Sequence, residues 1–187
     1  MAIITANTIE HFTTIEALAW RILPECYAPY FGRTNAEYLV ESGHTAEALA
    51  AQAAKGYRHY LIEVADNPQS GLESDRAGGT GNGRAVGAQP VGYFSLCAEE
   101  EHGVLLSHFY VLPEFRGRGL GGLALEFIDR EVTVMGGRRI ELFVLRENHA
   151  AVGLYRKKGY IVAAEVLTRL GNGAVLEDYV MRKDVEY

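Results

Sequence analysis

Two cysteines, one tryptophan and five prolines are all that the 187 residues hold of those types. Cys26 and Cys97 stand far apart, with no Cys-x-x-Cys pair and no cysteine–histidine spacing, which excludes a sequence-readable zinc site or disulfide framework. Both are expected to be buried thiols, and no metal is expected. No apolar run reaches the roughly 18 residues that a membrane-spanning helix needs. The start, Met1-Ala-Ile-Ile-Thr-Ala, lacks the basic segment and apolar stretch of a secretory signal, so a cytoplasmic location is expected. Positive charge is short as well: 18 Lys and Arg face 24 Asp and Glu, a net charge of -6. That balance argues against nucleic acid, whose phosphates call for a basic face, and favours a cationic partner if charge selects one.

What is present is ordinary for a folded chain, with 48% apolar and 22% charged residues, enough for one domain with its own core. We read residues 1–187 as that domain, with 1–58 an N-terminal helical region on the acceptor side. Thr13-x-x-Glu16 forms a capping box ahead of a helix that Pro24 ends, Thr34-x-x-Glu37 starts a second, and a third runs from Thr45 to Lys55. Tyr60 to Ala65 is a strand. Residues 66–88, rich in Gly, Asp, Asn and Ser, read as a loop insertion. Residues 89–183 then supply strands Val91–Cys97 and Val104–Val111 as an antiparallel hairpin, and a helix Leu120–Met135 with Leu120, Leu123, Phe127 and Val134 on its apolar face. A strand Ile140–Val144, a helix Asn148–Lys158 and a final strand pair around Gly171-Asn-Gly173 complete the order. Hairpins combined with one β-α-β unit predict an α/β (α+β) domain whose mixed, mostly antiparallel sheet is flanked by helices.

The densest chemistry lies in Val111-Leu-Pro-Glu-Phe-Arg116-Gly117-Arg118-Gly119-Leu120-Gly121-Gly122, which joins a strand to a helix. Glycines there let backbone N–H groups turn toward an anion, the helix N-terminus adds unpaired donors, and two arginines add charge. Gly117-x-Gly119-x-x-Gly122 also satisfies a dinucleotide fingerprint, which would make the protein a nucleotide-dependent oxidoreductase. Its context disagrees. Pro113, Glu114, Phe115 and Arg116 intervene before the first glycine, the acid expected at the end of the next strand is replaced by Glu141 near its start, and the chain closes in a hairpin rather than in further β-α units.

Two motifs together carry a resemblance. Arg116-x-x-Gly119-x-Gly121 resembles the [R/Q]-x-x-G-x-[G/A] signature of the GCN5-related N-acetyltransferases (GNAT), and Asn148-x-x-Ala151-x-x-Leu154-Tyr155-x-x-x-Gly159-Tyr160 is similar to that family's later helix. The resemblance covers about residues 60 to 183, with the 66–88 segment longer than usual there. It implies a GNAT-like acyl-CoA N-acyltransferase fold in which acetyl-CoA is the co-substrate. Its pyrophosphate would sit on the amides of Arg116, Gly117, Arg118, Gly119, Leu120, Gly121 and Gly122. Its pantetheine arm would pair with Phe109, Tyr110 and Val111, where a backbone amide polarises the thioester. Asn148 and Ala151 would flank the arm, and Tyr155 would protonate the departing thiolate. The implied acceptor is a primary amine, whether a small molecule, a polyamine-like amine or a peptide. Neither nucleic acid nor membrane is an expected partner; homodimers are common in the family. A non-catalytic acyl-CoA-binding module is the alternative.

The base is open. Strand alternation puts Leu105, Ser107 and Phe109 on one face and Leu106, His108 and Tyr110 on the other, with no glutamate on either. His108 is the candidate within the strand; Glu63, Glu99 or water are the others. Arg156, Lys157 and Lys158 read as cations complementing a helix C-terminus.

Overall fold

Ala2–Ala6 forms a first strand, β1, in the computed structural model of the protein, which describes residues 1–65 and 87–185. Its state depends on a distant partner: Ala2 lies opposite Glu63 and Ala6 opposite His59, and no local pattern marks so short a segment. Helix α1 runs from Ile9 to Phe31, capped by Thr8, whose Oγ1 accepts from the His11 amide at 3.3 Å. It therefore starts ahead of the expected capping box. Glu16 acts elsewhere, accepting from the Ala46 amide at 2.9 Å. Nor does Pro24 end the helix, which carries both Pro24 and Pro29. A proline there forfeits one hydrogen bond and bends the ladder, but the buried stripe of Phe12, Ile15, Ala19, Ile22 and Leu23 keeps the helix on the sheet.

Helices α2 (Arg33–Gly43) and α3 (Ala46–Ala54) follow, the second capped by Thr45, which accepts from the Ala48 amide at 3.2 Å. Strand β2 spans Arg58–Ala65, and β3 spans Ala88–Ala98. The expected 66–88 insertion lies outside the described residues except for Gly87 and Ala88, and Ala88 already belongs to β3. Next come β4 (Gly103–Val111), α4 (Leu120–Val134), β5 (Arg139–Leu145), α5 (His149–Lys157), β6 (Ile161–Arg169) and β7 (Val175–Asp184). The strands make one sheet in the order β1-β2-β3-β4-β5-β7-β6, antiparallel at every pair except β4–β5.

Two departures from strand and helix periodicity matter. The β3–β4 register runs Ser95 opposite His108 but Leu96 opposite Leu106, so Ser107 is a β-bulge. Cross-strand partners share a face, so Leu106 and Phe109 now lie together with Phe94 and Leu96, while Leu105, His108 and Tyr110 take the other side. Strict alternation predicted otherwise for the residues before the bulge. On α4, Leu123 and Val134 are 48% and 77% exposed, and the buried set is Leu120, Ala124, Leu125, Ile128 and Val132. That row follows the i, i+4 repeat, and Phe127 at its margin packs edge-on to Tyr60 and Phe94.

Among the described residues no helix is long and apolar enough to cross a membrane.

Candidate active site

Parallel pairing between β4 and β5 covers only Gly103 with Arg139, Val104 with Ile140 and Leu105 with Glu141. Beyond it the strands part, just where the Ser107 bulge bends β4 away. A cavity of ≈ 620 Å³ opens in the gap, with Phe109, Tyr110 and Val111 on one wall and Phe143 and Val144 on the other. The Leu112 amide donates to Val91 O at 2.8 Å across the β3–β4 ladder. Alternation along that ladder then spends the amides of Tyr110 and His108 on β3 and turns those of Phe109 and Val111 toward the gap.

The glycine turn closes one end of the cavity. Gly117 and Gly119 have φ of 72° and 79°, the left-handed region where a side chain is strained, and Gly119 is the N-cap of α4. Among the described residues no acceptor takes the N–H groups of 117 to 122; the first turn's ladder begins with Leu123 donating to Gly119 O at 3.1 Å. Several free amides and the positive end of a helix of 15 residues converge there, which suits a phosphate-bearing ligand. Gly121 is needed for a different reason: a Cβ would stand 3.0 Å from Leu154 Cδ2 of α5.

The two arginine side chains do not join this cradle. Arg116 turns back on α1, its Nη2 lying 3.0 Å from Glu25 Oε2 and 3.1 Å from Cys26 Sγ, and its Nε donates to Val111 O at 3.0 Å. It thereby ties the strand end to α1. Arg118 lies over the Phe115 ring, 4.9 Å from its centroid. Cys26 and Cys97 are half-buried rather than fully buried, and burial pushes the Cys26 thiol up to about 11 against the pull of Arg116.

Helix α5 forms the opposite wall through Asn148, Ala151, Leu154 and Tyr155. Asn148 is its N-cap, with Oδ1 accepting from the Ala151 amide at 3.2 Å. Tyr155 is 7% exposed, its ring centroid is 6.4 Å from that of Phe109, and burial raises its phenol well above the ordinary value. Lys158 is paired with Glu126 at 2.7 Å.

Across the sheet, α1 contributes Tyr27 and Tyr30 to the same cavity. Tyr27 Oη lies 3.1 Å from Tyr110 Oη, and burial holds the Tyr27 phenol up at about 12. Neither tyrosine of α1 was among the expected site residues, because both follow Pro24, where the helix was expected to stop. Reading their i, i+3 spacing through the proline is the signal that would have found them.

His108 does not line the cavity. Its Nδ1 is 3.2 Å from Ser95 Oγ, which is 2.7 Å from His59 Nδ1, while His59 Nε2 is 3.1 Å from Leu49 O. The tautomers follow by elimination. A carbonyl only accepts, so His59 Nε2 carries its proton and Nδ1 accepts from the Ser95 hydroxyl; Ser95 then accepts from His108 Nδ1–H, leaving His108 Nε2 with a free lone pair. Burial, with His44 and His59 nearby, pushes His108 well below the usual histidine range. Glu63 is buried on β2 and Glu99 exposed before the β3–β4 turn; neither lines the cavity.

Residues 45–160 match the model of the Acetyltransferase (GNAT) family. The chain belongs to this family. Over 52 residues it is 42% identical to the N-acetyltransferase YdgE of Bacillus subtilis (strain 168), which covers 28% of this chain and 33% of that protein. Over 79 residues it is 30% identical to the acetyltransferase ECA0875 of Pectobacterium atrosepticum, covering 42% of this chain and 52% of the other. The matches thus span about a third and about half of those relatives' lengths. The fold is shared with the PaiA N-acetyltransferase from Thermoplasma acidophilum, solved in complex with coenzyme A, at a TM-score of 0.68 and 17% identity over 98% of this chain and 99% of that one.

Proposed function

We propose that the protein transfers an acetyl group directly from acetyl-CoA to a primary amine in the cavity between β4 and β5. The observation that carries this is the joining, in one cavity, of a cradle of unspent amides at 117–122, two strand amides at Phe109 and Val111, and the Tyr155 hydroxyl. Coenzyme A in the structure of PaiA supports the donor. Acetyl-CoA supplies an activated acyl carbon and a thiol leaving group.

The residues divide the work. Amides of 117–122 hold the pyrophosphate, and Phe109 and Val111 receive the pantetheine arm as an added strand. The Phe109 amide donates to the thioester oxygen, where negative charge grows as the amine nitrogen bonds to carbon. Tyr155 donates its proton to sulfur as the C–S bond breaks. A phenol raised by burial stays protonated at neutral pH, and the same dry surroundings make the departing thiolate more basic than its usual pKa of about 8.5. The acceptor's proton leaves through water, and His108, whose Nε2 the bond to Ser95 leaves unprotonated, relays it toward solvent without keeping it, because burial disfavours the charged ring.

Coenzyme A thiol release, followed with a panel of primary amines and beside thermal shifts with acetyl-CoA and NAD, tests the reading. Stabilisation by acetyl-CoA with turnover on an amine is expected. Stabilisation by NAD alone, or by acetyl-CoA with no turnover on any amine, would remove it, the second leaving a binding module.

A further inference from the structure

Arg116 lines the cavity beside the glycine turn, yet its donors are engaged inside the protein. Its backbone amide donates to Pro113 O at 3.1 Å. In the side chain, Nε donates to Val111 O at 3.0 Å, Nη1 and Nη2 lie 3.4 Å and 3.0 Å from the two carboxylate oxygens of Glu25, and Nη2 is 3.1 Å from Cys26 Sγ. The planar fork is thus held on its outer edge by α1 while its inner nitrogen faces β4. An arginine in a glycine turn that suits an anion would ordinarily be read as added positive charge; here the contacts point elsewhere.

The bond to Val111 falls where β4 needs support. On the β3 side the ladder continues to Val111 opposite Gly92 and to the Leu112 amide on Val91 O, whereas on the β5 side it stops at Leu105 opposite Glu141. In a strand the N–H and C=O of one residue point to the same side, so Val111 O faces the gap together with the Val111 amide. In place of a neighbouring strand it receives Arg116 Nε. A strand end with one edge unpaired frays unless its polar groups find partners. Of the two contacts the hydrogen bond matters more than the ion pair: the Arg116 and Glu25 side chains are 41% and 51% exposed, and pairs that open to water contribute little, whereas a charged donor on a carbonyl is among the stronger hydrogen bonds.

We infer that Arg116 is a positioning residue for acetyl transfer: through Nε it holds the Val111 end of β4, so that the amides of Phe109 and Val111 keep the spacing at which the pantetheine arm pairs with them, and its side chain does not act as a phosphate contact. The inference rests on the acetyl-transfer reading of the cavity. Small displacements of such amides cost rate, because the thioester oxygen must meet its donor at hydrogen-bond distance.

Three substitutions separate the hydrogen bond from the charge. Glutamine carries an amide nitrogen on Cδ, where arginine carries Nε, so Arg116→Gln keeps a donor for Val111 O and gives up the charge; Arg116→Lys keeps the charge but has a methylene at that position; Arg116→Ala keeps neither. Each is compared with wild type in thiol release from acetyl-CoA and from S-acetylpantetheine, which has the arm but no pyrophosphate. The expected result is a kcat/KM at least about tenfold lower in Arg116→Ala and Arg116→Lys, alike for both donors, with Arg116→Gln recovering to within about threefold of wild type. Should Arg116→Ala fail to fold, the glutamine and lysine variants decide. Failure of glutamine to outperform lysine, or a loss confined to acetyl-CoA, overturns the positioning role and leaves acetyl transfer standing. A wild type that neither binds acetyl-CoA nor releases thiol overturns both.

Discussion

The imidazoles of His44 and His108 lie 4.1 Å apart at their ring centroids, tilted by 37°. Two imidazolium rings would repel strongly at that spacing, and burial enforces neutrality: it holds His44 at about 3 and pushes His59 down and His108 well below the usual histidine value. In the unfolded chain each returns to about 6.5. Below that pH the unfolded state takes up protons that the folded state refuses, so stability present above about pH 6.5 is lost as pH falls toward the folded values. Each histidine contributes at most about 1.4 kcal/mol per pH unit. Melting temperatures between about pH 7.5 and pH 5 should fall, and His44→Gln should flatten the slope; an unchanged slope in that variant would contradict the assignment.

Tyr155→Phe removes the proposed proton donor while keeping the ring against Phe109 and Tyr160. The expected result is a kcat lower by about 10² to 10⁴, with KM for acetyl-CoA little changed. Steady-state kinetics at several pH values check it, and a variant retaining full kcat would exclude Tyr155 as the acid.

Ser95 should matter without touching either substrate. Ser95→Ala breaks the chain from His59 to His108 and frees the imidazole to rotate or change tautomer. A kcat about tenfold lower at unchanged KM is expected, with His108→Ala costing about a hundredfold or more. Equal activity in both variants and wild type would return the base to water alone.

At Gly119 the φ of 79° is the constraint, since open space surrounds the missing Cβ. Gly119→Ala should therefore lose about 1 kcal/mol through backbone strain and raise KM for acetyl-CoA by tilting the turn's amides. Chemical denaturation together with acetyl-CoA titration separates the two effects; a variant of unchanged stability and affinity would show the turn can relax at no cost.

Much of the cavity's glycine-turn end was legible because its residues are neighbours in the chain. Gly117 to Gly122 are consecutive, and Asn148, Ala151 and Tyr155 share a face of one helix, so local geometry alone brings each set together. The acceptor half resisted because its members come from far apart. Tyr27 meets Tyr110 across 83 positions, and the helix bearing Tyr27 survives Pro24 only through packing that no local pattern displays. Strand β1 was invisible for the same reason.

Alternation likewise failed at one residue with wide effect. The bulge at Ser107 reverses which residues precede it on each face, and its existence is decided by the pairing of β4 with β3 and by the parting from β5. Nothing in Leu105-Leu106-Ser107-His108 announces that extra residue. The amino-acid sequence by itself determined the glycine turn and the helix that faces it, since these follow from short-range backbone freedom and helical spacing. Only the tertiary structure decided how β4 and β5 separate, which histidine nitrogen is free and that the Arg116 guanidinium turns to Glu25, because each of those depends on contacts between segments that the chain order keeps apart.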